Sequence, residues 1–164
     1  MMDYFQIINQ KILSDQDLRR MLGYWRFHEQ KIVFTNGCFD ILHKGHIDYL
    51  SKAAALGNKL IVGLNTDASV QRIKGPTRPV NDQQARASVM ASLFFVAGVV
   101  FFDEDTPYEL IKTVQPDILI KGSDYKAEDI VGYDIVTDKG GKVLTLDFLE
   151  GYSTTAIIDK LKNG

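Results

Sequence analysis

Residues 31–64 read KIVFTNGCFDILHKGHIDYLSKAAALGNKLIVGL, and this run decides the fold. Lys31 to Thr35 is a short, β-branched stretch ending at Asn36-Gly37, the pattern of a strand and its turn. Gly45 to Leu56 carries Ile47, Leu50 and Ala54 on one side and stops at Gly57-Asn58, so it is a helix. Lys59 to Leu64 is a second strand. Strand, helix and strand at this spacing make a βαβ unit, whose two strands lie parallel.

The alternation continues outward from that unit. Asn81 or Asp82 caps a helix running to about Ala97, and Val99 to Phe102 is a third strand. Thr106-Pro107 opens a helix with proline at its first position, where a missing N–H does no harm. Asp117 to Lys121 and Lys142 to Phe148 are the fourth and fifth strands, and Ser153 to Lys162 closes the chain as a helix. The expected architecture is α/β: a Rossmann-like, doubly wound sheet of about five parallel strands with helices on both faces. Upstream, Ser14-Asp15-Gln16-Asp17 resembles a capping box ahead of Leu18, Met21, Leu22 and Trp25. Residues 1–30 therefore read as a helical extension and 31–164 as the α/β domain. Trp25 and the Phe94-Phe95 pair read as core. An open parallel sheet takes its ligand beyond the carboxyl ends of its strands, where strand order reverses. The loops after Thr35, Leu64, Phe102, Lys121 and Phe148 are the places to look.

Composition limits the partners. The 164 residues hold 19 Lys and Arg against 21 Asp and Glu, a formal charge of −2, so no broad basic field invites nucleic acid. The single cysteine, Cys38, excludes an internal disulfide and a cysteine-based zinc framework, and it reads as a small loop residue without a redox role. The uncharged stretch from Ala87 to Phe102 is interrupted by Ser88, Ser92 and Gly98 and falls short of the ~20 apolar residues of a membrane span. The first ten residues carry Asp3 and no basic stretch leading into an apolar one, so no secretory signal and a cytoplasmic location are expected.

Several familiar nucleotide and hydrolase signatures are missing: no G-x-G pair, no P-loop around Gly141-Lys142, no H-E-x-x-H and no G-x-S-x-G. Present instead is His43-Lys44-Gly45-His46, at the mouth of the first helix. Its two histidines, three residues apart, fall on one side of a first turn. Gly45 is expected to admit a ligand close to the backbone, where free N–H groups and the helix dipole favour phosphate. A two-histidine metal site competes with this reading, with Asp40 as the one further ligand nearby. Gly151-Tyr152-Ser153-Thr154-Thr155 places three hydroxyls after the last strand. They read either as a helix cap or as a second phosphate grip. Lys74-Gly75-Pro76-Thr77-Arg78-Pro79 is a stiff basic loop of a length to fold over a site, in which Arg78 reads as solvated surface. Arg86 either neutralises phosphate or pairs with Asp82 at i,i+4. Lys121-Gly122-Ser123-Asp124 lies on the expected ligand edge.

Together these residues resemble the nucleotidylyltransferase superfamily that carries an H-x-G-H motif. The likeness starts at Thr35-Asn36-Gly37-Cys38-Phe39-Asp40, runs into His43-Lys44-Gly45-His46, and ends at Ser153-Thr154-Thr155, similar to the second signature of that family. Thr35 to His46, Arg78-Pro79-Val80-Asn81, Glu104-Asp105-Thr106-Pro107 and Lys121 to Lys126 resemble one branch: the adenylyltransferase half of bifunctional heptose kinase/adenylyltransferases of lipopolysaccharide precursor synthesis. The resemblance covers Lys31 to Lys162 and includes no sugar kinase, which implies a stand-alone adenylyltransferase. It implies the conversion of D-glycero-β-D-manno-heptose 1-phosphate and ATP into ADP-heptose and pyrophosphate, with Mg²⁺ carried on the triphosphate and no metal ligands from the protein. It implies catalytic roles for His43, His46 and Lys74. It implies nucleotide contacts from Cys38, Phe39, Lys44, Gly45, Arg86, Lys121, Asp124, Ser153, Thr154 and Thr155. It also implies a homodimer, and no nucleic-acid or membrane partner. Glycerol-3-phosphate cytidylyltransferases resemble the chain at the same two motifs but carry an arginine where Phe148 stands. A non-catalytic nucleotide-binding module is the reading from a different class.

Overall fold

The computed structural model describes residues 3–163. Five parallel strands form one sheet: β1 (Ile32–Gly37), β2 (Lys59–Asn65), β3 (Val96–Phe102), β4 (Ile118–Gly122) and β5 (Lys142–Leu146), in the order β3-β2-β1-β4-β5. The chain therefore winds outward from β1 to β3 and then returns to the other side of β1. The expected reversal of strand order falls between β1 and β4.

Period-two alternation splits the sheet residues between two cores. Val33, Leu60, Val62, Leu64, Val99, Ile118 and Ile120 face helices α3 (Lys44–Ala54) and α5 (Gln83–Ser92). Ile32, Phe34, Ile61, Val100 and Leu119 face α2 (Asp15–Phe27), α6 (Tyr108–Val114) and α7 (Tyr133–Asp138). Both faces are thus covered, which is why the strands are apolar throughout. Helix α8 (Thr154–Asn163) closes the chain.

The N-terminal residues are built into this frame. Ser14 caps α2 by accepting from the Asp17 N–H, and α2 buries Leu18, Leu22 and Trp25 against the sheet. Ahead of it, α1 (Tyr4–Asn9) leads into a segment that runs beside β3. Leu13 N–H donates to Val99 O and Val99 N–H to Lys11 O, each at 2.8 Å. That segment occupies part of the free edge of β3, and Lys11 Nζ reaches back to the carbonyls of Ala91 and Leu93 at the end of α5.

Several boundaries differ from expectation. Helix α5 begins after Asp82, as expected, but stops at Ser92, because Leu93 turns to extended backbone and β3 begins already at Val96. Phe94 is correspondingly 92% exposed rather than core, while Phe95 packs against the core. Pro107 is the cap of α6 rather than its first residue. Strand β5 ends at Leu146, two residues early, which frees Phe148 to fold back over Gly122. Helix α4 (Asp67–Lys74), capped by Thr66, and α7 are additional elements. No described helix is long and apolar enough to cross a membrane.

Because Leu22 is buried between α2 and the sheet, Leu22→Ala should lower unfolding stability by about 2–4 kcal/mol, a loss of transfer energy plus a cavity. Urea unfolding followed by far-UV circular dichroism checks this. An unchanged midpoint would mean that α2 is not part of the cooperative core.

Candidate active site

A cavity of about 600 Å³ opens at the carboxyl ends of all five strands, with the β1–β4 divide at its floor. Its wall includes Cys38, Phe39, His46, Lys74, Lys121, Asp124, Thr154 and Thr155, so eight of the residues expected from sequence meet there.

The loop from β1 to α3 builds the floor. Phe39 takes a left-handed backbone conformation (φ 43°), uncommon for a residue with a bulky side chain, and its ring lies edge-on to His46 at 5.4 Å. His43 and His46 stack at 3.8 Å between ring centroids. The Nδ1 atoms of both are buried with no hydrogen-bond partner among the described residues. Buried polar atoms are nearly always paired, and His46 borders the cavity, so its nitrogen marks a place where a ligand belongs. Burial, with the neighbouring His43 adding to it, pulls His46 down to about 4, and burial also lowers His43. Both rings are therefore neutral at pH 7, able to donate an N–H to an anion without carrying charge.

Gly45 has a different role from the one expected. A Cβ there would lie 3.0 Å from His43 Nδ1 and 3.0 Å from Tyr152 Cβ, so the missing side chain makes room for these neighbours rather than for a ligand. Tyr152 in turn lies parallel to His43, with ring centroids 6.3 Å apart, and Lys44 Nζ stands 5.8 Å above the Tyr152 ring. Lys44 and His43 consequently sit behind His46 rather than in the cavity wall. At the start of α8, Thr154 donates to Ile41 O, tying that helix to the histidine loop, and Ser153 Oγ accepts from Ala156 N–H. Ser153 is thus engaged as a helix cap, while Thr154 and Thr155 border the cavity.

On the β4 side, Lys121 extends into the cavity. Its ammonium has one hydrogen bond, at 3.4 Å to Asn36 O, and no carboxylate partner among the described residues. Burial lowers it to about 8, against the opposing pull of Asp124 and Cys38. Beside it, Asn36 Oδ1 is buried and unpartnered. Tyr49 shares a 2.8 Å hydrogen bond with Thr35, and burial pushes its phenol up to about 12, so it stays protonated. Phe148 packs on Tyr49 and over Gly122, where a Cβ would collide with its ring.

Arg86 is placed differently from both expectations. Its guanidinium is sealed inside, donating to Asn81 O, to Cys38 O at 2.6 Å and to Asn65 O, and pairing with Asp67 rather than Asp82. It cannot reach a phosphate in the cavity because its side chain is fully buried; it binds together the loops after β1 and β2 instead. Arg78, expected as solvated surface, is the arginine that lines the cavity. Its Nε donates to Asp40 at 2.6 Å. Asp40 also accepts from the backbone N–H groups of Val80 and Asn81. Burial works against its charge, but those amides and Arg78 outweigh it and hold the Asp40 carboxyl below the usual carboxylate range. Asp40 is therefore a clamp on the 75–82 loop and unavailable as a third metal ligand. Burial pushes the Cys38 thiol above its ordinary value despite nearby Lys74, Arg86 and Arg78, so it is no thiolate. Asn36, Tyr49, Arg78 and Phe148 were not singled out from sequence as site residues. The length of the 74–79 loop and the place of Phe148 and Asn36 on the ligand rim were signals for three of them; Tyr49, inside a helix, carried none.

Residues 34–160 match the cytidylyltransferase-like family model. The bifunctional protein HldE of Wolinella succinogenes is 52% identical over 93% of this chain and 31% of its own length. That of Campylobacter jejuni subsp. jejuni is 56% identical over 93% of this chain and 32% of its own. The chain thus spans about a third of the length of these relatives. Among solved structures, a lipopolysaccharide core biosynthesis protein from Thermoplasma volcanium aligns with TM-score 0.60 and 29% identity, over 76% of this chain and 99% of that one. Pantoate-β-alanine ligase from Francisella tularensis aligns with TM-score 0.58 at 17% identity, over 91% and 75%, a likeness of fold alone.

The depressed His46 has a consequence for stability. Between pH 6.5 and about 4 the unfolded chain takes up a proton that the folded one refuses. This contribution is complete above pH 6.5 and lost as pH falls toward 4. Wild type minus His46→Gln should show it as a difference of about 1–2 kcal/mol, discounted for partial solvent access. Urea unfolding at pH 7.5 and pH 4.5 measures it. Equal pH slopes in the two proteins would mean that His46 titrates normally.

Proposed function

Because the chain belongs to the cytidylyltransferase-like family and is a nucleotidyltransferase, we propose that it is a heptose 1-phosphate adenylyltransferase, making ADP-heptose and pyrophosphate from ATP and D-glycero-β-D-manno-heptose 1-phosphate. One observation carries the chemistry. A cavity at the strand-order reversal presents the unpartnered imidazole of His46, with His43 stacked behind it, an ammonium that is in no ion pair and two threonine hydroxyls, all suited to oxyanions. The identity of 52–56% to the two HldE proteins supports the heptose and adenylate assignments, and Phe148, where glycerol-3-phosphate cytidylyltransferases carry arginine, argues against cytidylate.

In this reading the triphosphate lies over the start of α3, whose N–H groups and dipole favour it. An oxygen of the sugar phosphate attacks the α-phosphorus in line. The bond from that phosphorus to the oxygen bridging to the β-phosphate breaks, and its electron pair leaves on pyrophosphate. The attacking oxygen is already anionic, so no proton need be removed, and catalysis is positioning plus charge stabilisation. His46 donates to the α-phosphate oxygens, with His43 stacked behind it fixing its plane. Lys74, Lys121, Thr154 and Thr155 hold the phosphates, Cys38 and Phe39 offer backbone contacts to the nucleoside, and Asp124 accepts from a nucleoside hydroxyl or amine. Arg86 positions the Cys38–Phe39 loop. Magnesium would neutralise charge on the triphosphate. In this reading phosphate oxygens and water hold the ion. A homodimer belongs to the same reading, and exposed Phe94 and Val89 are apolar surface that it would cover.

The test is magnesium-dependent pyrophosphate release with ATP, CTP, GTP and UTP, each crossed with heptose 1-phosphate and glycerol 3-phosphate. Release with ATP and the heptose phosphate alone is expected. Release with CTP and glycerol phosphate would overturn the substrate assignment, and silence across the grid would favour a binding module. His46→Ala should lower kcat by roughly 10²–10³-fold, the scale of a lost oxyanion donor, with KM for ATP changed less than about threefold. Steady-state kinetics decides this: a rise in KM at constant kcat would remove His46 from the transition state.

A further inference from the structure

The cavity is lined by oxyanion-binding groups from several elements: Lys121 from β4, His46 from α3, Thr154 and Thr155 from α8, and Lys74 from the end of α4. These are accounted for by a nucleoside triphosphate. Arg78, on the loop that follows α4, lines the same cavity and is not. Its side chain is only 19% exposed, and Asp40 behind it is 1% exposed. The ion pair uses Nε alone. Neither terminal nitrogen, Nη1 or Nη2, has a hydrogen-bond partner among the described residues, although Arg78 borders the cavity. Asp40 cannot turn to cover them, because its oxygens also accept from Val80 and Asn81 N–H, and Asn81 Nδ2 donates to Asp40 O at 2.8 Å. The result is a guanidinium fixed from behind with its fork unengaged. A planar pair of N–H groups held in place matches two oxygens of a phosphate monoester better than a point charge does.

We propose that Arg78 is the receptor for the phosphate of the acceptor substrate, so that this wall of the cavity selects phosphomonoesters and delivers their oxygen toward the nucleotide. This rests on the adenylyltransferase reading for the identity of the acceptor, but not for its chemistry. The cavity lining also includes Thr106 and Asp105, the latter paired with Arg72 at 3.1 Å, polar groups suited to the hydroxyls of a sugar. The anchoring carboxylate belongs to the β1–α3 loop that leads through His43 into the first turn of α3, where His46 stands. An acceptor held by Arg78 is thereby registered against the groups that hold the α-phosphate. A misplacement on this wall should raise acceptor KM and leave nucleotide binding intact.

The experiment is steady-state pyrophosphate release by the full chain, wild type against Arg78→Gln and Arg78→Lys, varying acceptor and nucleotide separately, with thermal melts on all three. Expected in Arg78→Gln is a 30- to 100-fold rise in KM for the acceptor, with KM for ATP within twofold. Arg78→Lys, which keeps an ion pair to Asp40 but loses the fork, should fall between. Guanidinium ion added at millimolar concentration should lower the acceptor KM of Arg78→Gln and leave wild type unaffected. Equal rises in both KM values, or an unchanged acceptor KM in folded variants, would overturn the proposal. Should Arg78→Gln fail to fold, Arg78→Lys decides by the same KM comparison. If wild type uses a different phosphorylated acceptor, the heptose assignment fails, and the Arg78 comparison is made with that acceptor instead.

Discussion

A parallel sheet forces every one of its strands to end on the same side, and here everything functional follows from that constraint. Helices on both faces carry the chain back, so the loops leaving β1 to β5 converge on one rim. At the divide between β1 and β4 the neighbouring connections depart in opposite directions and leave a cavity. No packing of side chains has to hollow it out. What the sequence must supply is a set of loops that stand still around it, and that is the work of buried polar ties. Arg86 spans Cys38, Asn65, Asp67 and Asn81, and Asp40 clamps Arg78, Val80 and Asn81. Each tie places a charge out of water, which costs several kcal/mol unless hydrogen bonds meet it; those of Arg86 and Asp40 are met within the protein, while the terminal nitrogens of Arg78 are left open to the cavity.

Much of this was legible in the chain. The five strands read correctly because each is a β-branched run between turn residues, and the loops on the ligand rim followed from the doubly wound pattern. The H-x-G-H and Ser-Thr-Thr segments could be assigned to one cavity for the same reason, but they lie side by side rather than across the sheet: Thr154 donates to Ile41 O and Tyr152 lies against His43. Elements without strong periodicity were not legible. Helix α4 has only eight residues with few apolar positions, and α7 has six, three of them β-branched. Their helicity comes from docking against the sheet rather than from propensity.

The two arginines show the limit most clearly. Sequence places Arg86 one turn into a helix and Arg78 between two prolines, which suggests a surface pair for the first and a solvated loop for the second. Tertiary contacts reverse that. Asp67 and three carbonyls converge on the helix position and draw Arg86 inside, while Asp40 holds Arg78 at the cavity. The partners lie 19 and 38 residues away, so no local pattern could distinguish a positioning arginine from a binding one. Gly45 is similar: its packing against His43 and Tyr152 depends on a residue more than a hundred positions later.

The cavity is left electrostatically unfinished. A buried ammonium in no ion pair, an imidazole nitrogen without a partner and a guanidinium fork without oxygens are each unfavourable in the free protein. A carboxylate in direct contact with Lys121 would offset its desolvation more fully than Asp124 does, and a serine beside His46 could pair its nitrogen. Either would also fill the place of the phosphates. The structure keeps the strain and offsets it with two well-filled hydrophobic cores, one on each face of the sheet. Binding of an oxyanion then satisfies in one event groups that folding left unsatisfied, and free energy withheld from stability becomes free energy of recognition. The depressed values of His46 and Lys121 are the record of that arrangement, since both groups are held in surroundings that favour charge only when an anion is present.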